Sequence, residues 1–239
     1  MSRVWAVCKK EFWGYFNSLI AYIFAIIFLG AVNILYIWFA LLPSGDINFS
    51  YYFSFLLYGM WFVIPALTMR SWAEEKKLGT DELLLTLPVN DWEAVLSKYF
   101  AGILFFGLIV LLSLLVPLSV ALLGKPDWPA IIAGYIGIMM VAAAFIAIGL
   151  MMSSLTRSQP VAFVSSVIVC LGLLGINDLL GRFSMPAWLS FLVSYLDVGD
   201  HFQSIARGVI DSRDIIYYLS IVFFFLVLNK YWLERRKWA

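Results

Sequence analysis

Long apolar runs separated by short polar segments dominate this chain. A helix needs about 20 apolar residues to cross a bilayer core of about 30 Å. Six runs approach or exceed this length: Leu19 to Leu42, Tyr52 to Met69, Tyr99 to Leu123, Ala130 to Met152, Val161 to Ile176, and Ile215 to Leu233. None alternates in polarity as barrel strands do. The pattern predicts an all-α, polytopic membrane protein with six transmembrane helices.

The polar segments divide a single transmembrane domain, residues 1–239, into six parts. We expect an interfacial helix at 1–18, spans 1 and 2 at 19–69, a cytoplasmic loop at 70–98, spans 3 to 5 at 99–177, short outer helices at 178–214, and span 6 with a basic tail at 215–239. Two spans are irregular, since Val161 to Ile176 is short and the last run contains Lys230, which could snorkel to the interface.

The N-terminal segment has an amphipathic pattern. Trp5, Cys8, Phe12 and Tyr15 fall on one helical face. This spacing predicts a helix lying along the membrane surface before the first span. The alternative is a basic flank that only orients the first span.

Lysine and arginine indicate the orientation of the spans, because they are enriched in cytoplasmic loops. With the N-terminus inside, the inner segments hold twelve basic residues: Arg3, Lys9, Lys10, Arg70, Lys76, Lys77, Lys98, Arg157, Lys230, Arg235, Arg236 and Lys237. The outer segments then hold four: Lys125, Arg182, Arg207 and Arg213. Both termini are therefore predicted to be cytoplasmic.

The cytoplasmic loop between spans 2 and 3 carries helix-start and helix-stop signals. Gly79 and Thr80 break the chain, and Thr80 can cap a helix. The apolar residues of this predicted helix are Leu83, Leu84, Leu85 and Leu87. Pro88 stops that helix, and Asn90 with Glu93 forms a capping box that starts the third span. The loop is predicted to project from the membrane as a short apolar helix.

The outer segment between spans 5 and 6 is too apolar for a solvated loop and too short to span. Pro186 can start a helix there, whereas Gly199 and Asp200 can end it and cap a second helix from about His201 to Gly208.

Composition supports the membrane class, since 63% of the residues are hydrophobic and only 13% are charged. The formal net charge of +1 gives no reason to expect a nucleic-acid partner. The two cysteines, Cys8 and Cys170, are too differently placed to suggest a disulfide or a metal site.

Candidate chemistry within the spans is sparse. The middles of the six runs contain no Asp, Glu, Lys, Arg or His, although an ion-coupled secondary carrier would need such groups. The chain has no G-x-x-x-x-G-K-[ST] pattern, so any ATP that drives it is bound by a partner. His201 is the single histidine, and Glu74 with Glu75 is expected to be an electrostatic element of the loop beside Lys76 and Lys77. An intramembrane enzyme, a carrier and a non-transporting scaffold remain the alternatives.

The segment RSWAEEKKLGTDELLLTLPVNDWEAVLSKY, together with six spans and an N-terminal interfacial helix, resembles an ABC transporter permease of the type-2 exporter superfamily. The gliding-motility-type branch is the most similar, and HFQSIARGVIDSRDIIYY before the last span also resembles it. The resemblance implies the membrane subunit of an ATP-driven exporter, in which the helix between spans 2 and 3 is a coupling helix that docks on a separate ATPase.

The resemblance also assigns roles to individual residues. The ATPase-coupling residues would be Glu74, Glu75, Gly79, Thr80, Glu82, Leu83, Leu84, Leu85 and Pro88. An extracytoplasmic gate would contain His201, Arg207, Gly208 and Asp211. No catalytic residue and no metal site are expected, and ATP with magnesium would bind the partner ATPase.

The implied partners are ABC ATPase subunits, a second permease in a homodimer or heterodimer, membrane lipid, and a candidate auxiliary extracytoplasmic protein. The implied location is the cytoplasmic (inner) membrane of a bacterium. Export is the direction that the resemblance implies, whereas the cargo does not follow from these residues.

Overall fold

Helices form all the regular secondary structure in the described part of the chain. The computed structural model describes residues 2–44, 49–80, 90–122, 124, 126–180, 186–208 and 211–236. The helices, in order, are α1 (Ser2–Phe16), α2 (Leu19–Tyr36), α3 (Phe49–Thr68), α4 (Arg70–Leu78), α5 (Asp91–Ser113), α6 (Leu115–Ala121), α7 (Trp128–Leu155), α8 (Gln159–Leu174), α9 (Ile176–Leu180), α10 (Ala187–Leu196), α11 (Val198–Ala206) and α12 (Ser212–Arg236). A π-helical turn, Ile37–Leu41, extends α2 and is followed by a three-residue helical turn, Leu42–Ser44.

Five helical stretches in the described residues are long and apolar enough to cross a membrane: Leu19–Leu41, Phe49–Leu78, Asp91–Ala121, Trp128–Leu155 and Ser212–Arg235. They correspond to predicted spans 1, 2, 3, 4 and 6. The predicted fifth span is the 16-residue apolar helix α8. At 1.5 Å per residue it is about 24 Å long, shorter than the bilayer core. The fifth span, and with it the total of six spans, therefore stays a prediction.

Helix α7 lies at the centre of the bundle and packs against α3, α4, α5, α8, α11 and α12. In the most apolar 18-residue segment of α7, 67% of the residues are buried. The corresponding share is 22% in each of the peripheral stretches Leu19–Leu41 and Ser212–Arg235. Small residues allow this close packing. A Cβ at Gly149 would overlap Thr68 Oγ1, and a Cβ at Gly134 would overlap the ring of Phe53. At these two positions the absence of a side chain lets α7 pack directly against α3.

The third candidate span is interrupted near its C-terminal end. The boundary between α5 and α6 falls at Leu114, three residues before Pro117. Because proline has no backbone N–H, it cannot donate to the carbonyl oxygen four residues earlier. That oxygen, on Ser113, instead accepts a 3.0 Å hydrogen bond from the Tyr52 hydroxyl of α3. A side chain thus satisfies a buried carbonyl that the proline would have left unpaired.

The N-terminal segment is helical as predicted, and α1 packs mainly on α5. Tyr15 stacks on Phe105 at 4.8 Å between ring centroids, and Cys8 is buried. Trp5, expected on the same face, is instead 63% exposed at the first turn of the helix.

Two short helices form the segment predicted to lie outside, as expected, although the junction between them differs from the prediction. Helix α10 ends at Leu196, and Asp197, rather than Gly199 or Asp200, caps α11. The Asp197 carboxylate accepts hydrogen bonds from the backbone N–H groups of Gly199 at 2.7 Å and Asp200 at 3.1 Å. The short side chain of aspartate reaches these first free donors, which is why the second helix starts earlier than expected.

Candidate functional site

The second span continues beyond the apolar run as α4, which carries the charged sequence RSWAEEKKL. Lys76 and Lys77 lie in its last turn, where positive side chains suit the negative helix end. Gly79 ends the helix with a left-handed φ of 70°, a conformation that other residues adopt only with strain. The predicted chain break at Gly79 is therefore present.

A buried ion cluster joins three helices at this end of the molecule. Lys98 of α5 has a side chain only 2% exposed. Its Nζ lies 2.6 Å from Glu75 Oε1 of α4 and 3.1 Å from Glu11 Oε2 of α1. It also donates to the carbonyl oxygen of Ser71 at 2.9 Å and lies 4.8 Å from the Trp72 ring centroid. Removing an ion this completely from water is tolerated only where hydrogen-bonded partners surround it.

A second, more exposed ion pair lies beside this cluster on α4. Arg70 Nε and Nη2 donate to the two Glu74 oxygens at 2.7 and 3.0 Å, a bidentate geometry. Arg70 Nη1 also donates to Ser18 Oγ at 2.8 Å. Since Ser18 immediately precedes α2, this contact ties the start of the first span to α4.

Hydrogen bonds also attach α4 to the central helix α7. Ser153 Oγ accepts from the backbone N–H groups of Trp72 and Ala73, both at 3.1 Å, and donates to the carbonyl oxygen of Met69. Lys76 Nζ donates to the carbonyl oxygen of Ser154. Helix α4 is therefore fixed on opposite sides, by α7 on one and by α1 and α5 on the other.

The structure changes the interpretation of Glu74 and Glu75. They were expected in a loop beside Lys76 and Lys77, but they lie in a helix, where neighbouring residues point about 100° apart. Glu75 therefore pairs with Lys98, whereas Lys76 turns toward α7. The Thr80 hydroxyl lies 3.4 Å from the carbonyl oxygen of Glu75, to which it donates.

The remaining predicted coupling residues lie outside the described residues: Glu82, Leu83, Leu84, Leu85 and Pro88. The start of α5 just after them is described. There the backbone N–H of Asn90 donates to Glu93 Oε2 at 3.0 Å, which confirms the predicted capping box.

At the opposite end of the molecule, His201 connects the outer helices to α12. Its Nδ1 lies 2.6 Å from Asp214 Oδ1, and its Nε2 lies 3.1 Å from the carbonyl oxygen of Tyr195. Its ring stacks on Tyr217 with 3.9 Å between centroids. The Tyr217 and Tyr218 hydroxyls donate to the carbonyl oxygens of Leu196 at 2.7 Å and of Val198 at 2.9 Å, on either side of the α10–α11 junction.

The other three predicted gate residues form local contacts instead of joining His201. Arg207 Nε donates to the carbonyl oxygen of Gln203 within its own helix end. Gly208 has a left-handed φ of 88°. Asp211 Oδ1 accepts from the backbone N–H of Arg213, and this hydrogen bond holds the pKa of the exposed Asp211 carboxyl below its usual value.

Asp197 holds the outer segment against the end of α8 and α9. Its Oδ2 accepts from the backbone N–H of Asn177 at 3.0 Å, and Asn177 Nδ2 donates to Asp200 Oδ2 at 2.9 Å. Burial raises the pKa of the Asp197 carboxyl, while the backbone donors act in the opposite direction. The junction between α10 and α11 is thus fixed from both the α9 and the α12 sides.

Sequence reasoning missed several residues at both ends of the bundle: Glu11, Lys98, Ser153, Asp197 and Asp214. Glu11 and Lys98 are 87 positions apart, so no local spacing relates them. The available signal was the placement of Lys98 at the edge of an apolar run, where a charge needs a partner. In the part of the chain that the structure describes, no group of three or more His, Cys, Asp or Glu side chains could hold a metal ion.

The fold and these contacts define a multi-pass helical membrane protein. At one end of the bundle charged side chains join the helices to each other, and at the opposite end lie the short helices α10 and α11. A family model described as ABC-2 family transporter protein matches residues 43–229. The chain belongs to this family, whose members are non-catalytic membrane subunits of ABC transporters. Among curated proteins, none matches the chain.

Proposed function

We propose that this chain is the permease subunit of an ATP-driven exporter, moved by a separate ATPase through a coupling helix within residues 81–89. Membership of the ABC-2 family supports an ABC ATPase as partner. The leucines at positions 83, 84, 85 and 87 give the segment an apolar surface, which suits a groove on a partner protein.

The observation that carries the proposal is the 2.6 Å contact between Glu75 and Lys98. These residues lie on the helices that lead into and out of residues 81–89, so the segment is anchored at both ends in one cluster. The same cluster includes Glu11 of α1, and α4 is bonded to Ser153 of α7. A displacement of the coupling segment is thus transmitted to α1, α5 and α7 together.

In this mechanism ATP closes the two ATPase subunits, the docked segments follow, and the two permeases alternate between inward-facing and outward-facing states. For such coupling to operate, the ATPase-docking end and the opposite end of the permease must both favour one or the other of these two states. Helix α7, which contacts both α4 and the outer helix α11, links the coupling end to the outer end. Glu74 and Glu75 act here by holding the base of the segment in place.

The proposed assembly is a homodimer or a heterodimer with a related permease in the bacterial inner membrane, with two ATPase subunits on the cytoplasmic side. An auxiliary extracytoplasmic protein is a further candidate partner, and the gliding-motility-type branch is the proposed subgroup. The basic residues of the inner segments support cytoplasmic termini. Helix α8 would be the remaining span, completed by flanking residues or local thinning of the bilayer.

Leu84→Arg tests the docking step. The charge would have to be buried in an apolar groove, so association with the ATPase should be lost while membrane insertion is retained. Leu84→Met is the matched control and should keep the association. Co-purification of the ATPase with each variant measures this, and normal recovery with Leu84→Arg would refute docking through this segment.

A further inference from the structure

A cavity of about 480 Å³ lies between α1 and α4 at the end of the bundle that carries the ion cluster. Its walls are the facing sides of these two helices. Its floor is apolar and is formed by the ends of the first two spans: Ile20, Ala21, Ala66 and Leu67. A cavity with an apolar floor and charged walls, placed where spans end, suits an amphiphilic molecule of the membrane interface.

The charges in the walls are of both signs. Lys10 and Arg70 line the cavity together with Glu11, Glu74 and Glu75. Lys98, which does not line the cavity, pairs with two of these acids, Glu11 and Glu75. The group is therefore balanced at three positive and three negative side chains. A ligand with one net charge would disturb that balance, whereas a zwitterion preserves it.

Hydrogen-bonding capacity narrows the ligand class further. Arg70 has five N–H donors, and its contacts to Glu74 and Ser18 involve Nε, Nη2 and Nη1, so part of its donor edge is left for an acceptor such as phosphate. The Lys10 side chain is exposed at the same wall. The half-exposed Glu74 carboxylate accepts hydrogen bonds, which a primary ammonium donates and a trimethylammonium does not.

We propose that this cavity binds an aminophospholipid, with the phosphate at Lys10 and Arg70, the primary ammonium at Glu74, and the first acyl methylenes on the apolar floor. The bound lipid would bridge α1 and α4 beside the anchored base of the coupling segment. This site does not depend on ATPase docking, so its failure and the failure of the proposed function are separable.

Gly14 offers a way to fill the cavity without disturbing the packed helices. It lines the cavity, and a Cβ added there meets no atom within 4 Å. Gly14→Trp should place its ring in the lipid site. Gly14→Ala is the matched control, because it also replaces the glycine with a better helix former but leaves the cavity open.

The experiment measures the thermal midpoint of the delipidated protein in detergent during titration with phosphatidylethanolamine, phosphatidylcholine or phosphatidylglycerol of identical acyl chains. For wild type and Gly14→Ala, phosphatidylethanolamine should half-saturate at about tenfold lower concentration than the other two lipids, as one additional charge-assisted hydrogen bond allows. Gly14→Trp should lose this preference. Soluble glycerophosphoethanolamine should produce no comparable shift, because it lacks the acyl chains that contact the floor.

A second pair of variants tests the charged wall without adding bulk. Lys10→Gln should raise the half-saturating concentration of phosphatidylethanolamine, whereas Lys9→Gln, exposed and outside the cavity, should not. Equal stabilisation by the three lipids, or an unchanged preference in both Gly14→Trp and Lys10→Gln, would overturn the proposal. So would a shift of equal size with the soluble headgroup.

Discussion

Single polar side chains connect separate helices at each of the two ends of this bundle. Lys98 pairs with one carboxylate on each of two other helices, and His201 connects α11 to α12. In each case the interaction joins residues of different helices. Their substitution should therefore affect the packing of whole helices.

Replacing Lys98 should destabilise the protein because Glu11 and Glu75 would face each other without their shared cation. Lys98→Met is expected to lower the free energy of unfolding by about 3–5 kcal/mol. A thiol-reactive fluorogenic dye can follow unfolding, since Cys8 and Cys170 are both buried and burial raises the pKa of the Cys8 thiol. The control is Lys77→Met, which removes an exposed charge from α4.

Adding Glu75→Gln to Lys98→Met should recover part of the lost stability, because one of the two uncompensated carboxylates is removed. If Lys98→Met and Lys77→Met had the same free energy of unfolding, the ion cluster would not hold these helices together.

Replacing His201 should expose the dependence of Asp214 on its partner. Asp214 is only 5% exposed, and its Oδ2 has no hydrogen-bond partner in the described structure. His201→Ala removes the contact to Oδ1 and should cost about 1–3 kcal/mol of unfolding free energy. Unfolding followed with the same thiol-reactive dye measures this loss. The control is Gln203→Ala, which replaces an exposed residue of α11. Asp214→Asn should restore stability in the His201→Ala background. If the loss of unfolding free energy persisted in this double variant, the unpaired Asp214 carboxylate would not be its cause.

At the scale of helices, much of the architecture could be predicted from the sequence. Five of the six predicted spans appear as long apolar helices, because periodicity and length are strong signals for membrane helices. The capping box at Asn90 and the break at Gly79 were also predictable, since both are local. The length of α8 and the cap at Asp197 were harder, because tertiary contacts help to decide where such short helices begin and end.

The partners of the charged residues in α4 could not be predicted from the sequence. The sequence EEKK predicts an electrostatic element of a loop, but the segment is helical and directs Glu75 and Lys76 to different faces. Which face meets which helix depends on the tertiary packing of α1, α5 and α7. No short-range pattern specifies that packing.

The attachment of α4 to α7 provides a test at the level of these helices. Ser153→Ala removes the hydroxyl that accepts from the Trp72 and Ala73 backbone N–H groups. We expect a loss of about 1–3 kcal/mol for the unpaired buried donors. Hydrogen exchange at α4 should become faster than in wild type.

Ser220→Ala is a suitable control because its exposed hydroxyl bonds only within α12. Unchanged exchange in α4 after Ser153→Ala would show that other contacts are sufficient to hold this helix on α7.

For the whole molecule, the distribution of basic residues predicts that α4 is cytoplasmic and that α11 is outside. Cysteines introduced at exposed Asp127 and Gln203 should react with a membrane-impermeant reagent added to intact cells. Cysteines at exposed Lys77 and Thr80 should react only after permeabilisation. The native cysteines are buried and give a low background. The reverse labelling pattern would invert the topology and remove the coupling segment from the cytoplasm.

The central claim is that a separate ATPase drives this membrane subunit. The most direct measurement is affinity purification of the tagged chain from its own host in mild detergent, followed by mass spectrometry of the companions. We predict a P-loop ATPase in stoichiometric amount, present with wild type and missing with Leu84→Arg. Repeated purification of the folded chain without any such ATPase would contradict the account.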